Sequence, residues 1–136
     1  MKKVVLHILY CSALLLFFTK NVDGQIMNKT YIGTYDKLNA LYIFDSTQVK
    51  ILISVEEYYP SERGYCSIES FVILKNKVLI GSSTFFKIKD NGEKLVGVKK
   101  KLRGTKDKLY QFNEDNPNHK RFRDKVILLG LDKLCD

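Results

Sequence analysis

Between Thr30 and Phe112 the chain is a succession of short β-branched and aromatic runs, cut by turn residues at spacings of about ten residues. Thr30 to Tyr35 is the first run, and Leu41 to Phe44, closed by Asp45-Ser46, is the second. Val49, Ile51, Ile53 and Val55 then alternate with Lys50 and Ser54, the period-two pattern of a half-buried strand, with only Leu52 breaking the polar face. Ser67 to Leu74 and Val78 to Ile80 flank the turn Lys75-Asn76-Lys77 and read as a hairpin. Phe86 and Ile88 alternate with Lys87 and Lys89 up to Asp90-Asn91-Gly92, where Asn and Gly accept the positive φ of a tight turn. Leu95 to Arg103 is the expected return strand, and Leu109 to Phe112 the last run before Asp115-Asn116-Pro117-Asn118. About eight strands without a strand–helix–strand rhythm predict an all-β fold, a small antiparallel barrel or sandwich.

Phe122 to Leu134 admits two readings. Phe122, Val126 and Leu129 would share one helix face, whereas Val126-Ile127-Leu128-Leu129 fits a buried strand. Gly130 weakens a helix by about 1 kcal/mol, and the strand reading is preferred.

The amino terminus has the three parts of a secretory signal: Lys2 and Lys3, an apolar stretch from Val4 to Phe18, and a polar segment reaching Gly24. The apolar stretch falls short of the roughly 20 residues that span a bilayer. Cleavage after Gly24 is expected, leaving one domain, residues 25–136, with no membrane span and a periplasmic or extracellular destination. Lipidation at Cys11 is disfavoured, because Tyr10 stands where a small residue is needed.

Cleavage leaves Cys66 and Cys135, and an even pair in an oxidising compartment reads as a disulfide. The net charge of +8 becomes about +6 once Lys2, Lys3, Lys20 and Asp23 are removed. That balance favours acidic partners and does not bear on fold.

Gly33-Thr34-Tyr35, the short apolar strand after it, the hairpin around Lys75-Asn76-Lys77-Val78-Leu79 and the late Lys108-Leu109-Tyr110 together resemble small exported lipocalin-like β-proteins of Bacteroidetes-type bacteria. The resemblance covers residues 30–113 and implies a small carrier of an apolar ligand. Lipocalins usually have a Gly-x-Trp where this chain has Tyr35, and the chain contains no tryptophan. Its mature length is short for a ligand-carrying barrel, so a filled core is expected.

Catalytic signals are sparse. His119, the one histidine after cleavage, sits beside Lys120, Arg121 and Arg123 and reads as a solvated loop residue. The nucleophile pattern Gly-x-Ser-x-Gly is absent, and one His with two distant Cys does not supply a metal site. Glu56, Glu57, Glu62 and Glu69 surround Tyr58, Tyr59 and Tyr65, but nothing in the spacing pairs two carboxyls across a cleft. No enzymatic activity and no cofactor are expected.

Recognition is the better reading of the same region. Tyr58, Tyr59 and Tyr65 belong to a long exposed loop from Glu56 to Gly64 and its edge, and exposed Tyr offers large contact area at low entropic cost. Lys99, Lys101 and Arg103 alternate on one strand face about 7 Å apart, and Arg121 and Arg123 form a second basic cluster. These residues predict a non-catalytic module for a protein or an anionic glycan or lipid partner. No aromatic-and-basic motif of a nucleic-acid module is present. Oligomeric state is not legible.

Overall fold

The computed structural model of the protein describes residues 25–56, 59–98 and 106–136. The expected leader, Glu57, Tyr58 and the basic run Lys99, Lys101 and Arg103 lie outside the described residues. Eight strands follow one another: β1 (Thr30–Tyr35), β2 (Leu38–Phe44), β3 (Gln48–Ser54), β4 (Gly64–Leu74), β5 (Lys77–Ile80), β6 (Thr84–Lys89), β7 (Lys94–Gly97) and β8 (Lys108–Gln111). Each pairs antiparallel with the next, and β8 pairs antiparallel with β1, closing a barrel. Of the two all-β architectures the sequence allows, the chain adopts the barrel. Of the expected return strand Leu95 to Arg103, β7 covers Leu95 to Gly97, and residues 99–103 lie outside the described residues.

Closure depends on a close approach at Gly33, which faces Leu109 across the β1–β8 seam. A Cβ at Gly33 would collide with the Lys108 carbonyl and the Leu109 side chain, so the missing side chain lets the two strands meet.

Alternation sends one side of each strand inward. Tyr31, Tyr42, Phe44 and Phe86 are fully buried there among aliphatic residues. Phe44 meets Tyr31 edge-on at 5.6 Å between ring centres and Phe71 at 5.1 Å, and Tyr42 meets Phe86 at 6.2 Å. An eight-stranded barrel is just wide enough for its side chains to fill. The interior is accordingly a packed core, as the short chain predicts.

One end of the barrel is plugged. The turn over residues 25–28 buries Ile26 completely, and the Tyr31 hydroxyl donates to the Gly92 carbonyl beside it. Gly92, at φ 88°, lies against Gln25 with no room for a side chain.

The carboxy-terminal segment corrects the strand reading. Residues Pro117–Leu128 form a helix, α1. Asn116 caps it, its side-chain oxygen accepting from the Asn118 and His119 amides at 3.0 and 3.4 Å. Pro117 is preset for the first helical position and lacks an N–H that would go unpaired there. Phe122, Val126 and Leu129 pack on the outward faces of β1, β2 and β3 through Ile32, Leu41, Ile43 and Leu52. Gly130 ends the helix at φ 70°, and Leu131 buries itself against the β3–β4 wall beside Gly64. Cys135 then bonds Cys66 on β4, with 5.5 Å between their Cα atoms. The bridge closes a sequence separation of 69 residues. On the chain-entropy account that contributes about 4 kcal/mol.

Candidate functional site at the open end of the barrel

In an up-and-down barrel the β1–β2, β3–β4, β5–β6 and β7–β8 connections share one end, here the end opposite the Ile26 plug. The described part of the Tyr-rich β3–β4 loop therefore leaves the barrel at the end where β7 finishes and β8 begins.

The described part of the Tyr-rich loop is held by its own hydrogen bonds. The Tyr59 amide donates to the Val55 carbonyl at 2.8 Å, and the Glu62 amide donates to the Tyr59 carbonyl at 2.9 Å. Lys125 of α1 ties Glu56 at 3.2 Å. Tyr59 remains 58 % exposed and Tyr65 53 %. The Tyr65 hydroxyl donates to Glu62 Oε2 at 2.8 Å, and that bond to a carboxylate raises its pKa. Two large rings stand in solvent on a constrained backbone.

Comparison with protein-family models, with curated proteins and with solved structures gives no match. The reading of the site rests on geometry.

The open end is not flush. β4 begins at Gly64, but β5 pairs with it only from Phe71 opposite Ile80. In the resulting notch Ser67 and Glu69 face inward, beside the β5–β6 turn. A cavity of about 160 Å³ lies there, lined by Tyr35, Tyr42, Ile51, Ser67, Glu69, Ile80 and residues 81–84. The Tyr42 hydroxyl donates to the Thr34 carbonyl at 3.2 Å, and burial, reinforced by the Asp107 charge, holds its pKa far above the usual value.

The remaining candidates scatter. Arg121 is exposed on the flank of α1. Arg123 lies 5.1 Å from the Phe112 ring centre and pairs with Glu114 and Asp124, so it is engaged within its own chain and is not a free contact. His119 is in the first turn of α1 and not in a loop. Its Nδ1 accepts from the Asn113 amide at 3.1 Å and its ring lies 5.8 Å from Phe112, which gives it a structural role at the strand–helix turn. Glu56 and Glu62 are held by Lys125 and Tyr65. Among the described residues no group of three or more His, Cys, Asp or Glu could hold a metal. Nor, among them, is any helix long and apolar enough to cross a membrane.

Two surface features escaped the sequence reading. Val72, Leu79, Phe85 and Val98 form an apolar row across the outer faces of β4 to β7, with Val72 53 % exposed. A groove of about 860 Å³ runs between α1 and the outer faces of β1 and β8, past Ile32, Tyr110, His119 and Phe122. Both depend on which strands become neighbours, which composition does not reveal.

Proposed function

We propose that this chain is an exported, non-catalytic recognition module that engages a protein partner with the open end of its barrel. The observation that carries the reading is the pair Tyr59, on the hydrogen-bonded β3–β4 loop, and Tyr65, at the start of β4, both more than half exposed at the end opposite the plug. Rigid aromatic side chains at a constrained loop lose little entropy when a partner covers them. The sequence carries the basic run Lys99, Lys101 and Arg103, which favours a partner with an acidic surface. The Cys66–Cys135 bridge supports an oxidising compartment and thus the export reading.

The filled interior favours recognition over carriage of an apolar ligand, which the lipocalin-like resemblance implies. Ligand sites usually offer about 300–1,000 Å³. The cavity at the barrel mouth offers about 160 Å³, too little for a lipid-sized apolar ligand.

The test is capture of the partner from cells that make the protein, with three baits: the unaltered chain, Tyr59→Ser/Tyr65→Ser, and Val72→Ser/Leu79→Ser on the outer apolar row. The proposal expects partner recovery to fall by at least about tenfold for the first variant only, with its thermal midpoint nearly unchanged. Loss confined to the apolar-row variant would overturn it.

A further inference from the structure

We infer that the cavity around Glu69 is a binding site for the ammonium group of a small organic amine. Glu69 stands on the inward face of β4, opposite Val49 and in step with the core residues Phe71 and Ile73. It accepts a hydrogen bond from the Ser67 hydroxyl at 3.2 Å, its one side-chain hydrogen bond among the described residues. No lysine or arginine among the described residues pairs with it, although the chain carries 23 of them. A half-buried carboxylate without a cation is costly unless a partner completes it.

The walls fit a cation with an apolar body. Tyr35 and Tyr42 line it with aromatic side chains, which attract ammonium groups, and Ser82, Ser83 and Thr84 line it with hydroxyl-bearing residues that can accept its remaining N–H bonds. Ile51 and Ile80 offer apolar contact to the rest of the molecule. Gly81, at φ +63°, keeps the space beside the Glu69 carboxylate clear, since a Cβ there would crowd its Oε2 at 3.2 Å. The volume of about 160 Å³ lies below the roughly 300–1,000 Å³ of pockets for drug-sized ligands. That bulk selects a compact alkylamine and excludes a lipid. The inference stands independently of the partner reading, because it concerns the inside of the rim and a different class of ligand.

The experiment is an NMR titration of the protein, disulfide intact, with n-butylammonium chloride and, separately, with n-butanol, which keeps the shape and drops the charge. The expected result is that the cation shifts the amides of Glu69, Gly81 and Tyr42 and binds at least about tenfold more tightly than the alcohol, with Glu69→Gln abolishing that preference. Equal binding of the two, a preference that survives Glu69→Gln, shifts confined to the groove beside α1, or no binding of the cation would each overturn the inference. Should Glu69→Gln fail to fold, the comparison of cation and alcohol on the unaltered chain decides alone.

Discussion

At the scale of the residue, the barrel's tyrosines divide into those it buries and those it displays. Burial pushes the Tyr31 hydroxyl up to about 12 from 10.0 and Tyr42 further still, because a phenolate in the core would lose its hydration. A group whose folded pKa is raised contributes stability that is fully present below its unfolded pKa and lost as pH rises through the folded one. The thermal midpoint is therefore expected to fall steeply from pH about 10 towards 12, with Tyr42→Phe removing part of that fall. Thermal unfolding followed against pH, alongside the ultraviolet titration of tyrosinate, checks it. Glu69 shows what the sequence held but did not announce. The alternation that makes Phe71 and Ile73 inward makes Glu69 inward too, yet a glutamate near a polar loop reads as solvated until β3 and the β5–β6 turn are known to flank it. Arg123 is the converse: a basic cluster in sequence is a stacked and ion-paired side chain in space.

At the scale of the element, the strands were legible because period two survives in short segments, as in β3. The carboxy-terminal segment was not, since Val126-Ile127-Leu128-Leu129 satisfies either period. Asn116-Pro117 was the signal that decides it: a capping side chain followed by a residue preset for the first helical turn. Removing the cap with Asn116→Ala is expected to cost about 1 kcal/mol, measured by chemical denaturation. The disulfide acts on the next element. Cys66→Ser/Cys135→Ser releases the segment after α1 from β4, and a loss of roughly 2–5 kcal/mol is expected by the same measurement.

At the scale of the whole molecule, the choice between barrel and sandwich lay beyond local pattern, because it is made by the pairing of the first strand with the last. Gly33 makes that pairing possible, and nothing about a glycine in a strand-like run says what will approach it. Gly33→Val should open the β1–β8 seam, seen as loss of amide protection at Ile32 and Tyr110 and a lowered thermal midpoint. Closure also gathers the odd-numbered connections at one end while Ile26 and the Tyr31 hydroxyl seal the other. The tyrosines stood out in the sequence, but the place of Tyr59 and Tyr65 at the open end is a property of the barrel alone. Amide hydrogen exchange on the complex with the captured partner tests most directly whether the open end is the contact surface. The account predicts new protection across residues 59–65 and the β5–β6 turn, with α1 and the plugged end unchanged. Protection confined to the outer faces of β4 to β7 or to α1, with the open end unaltered, would contradict it.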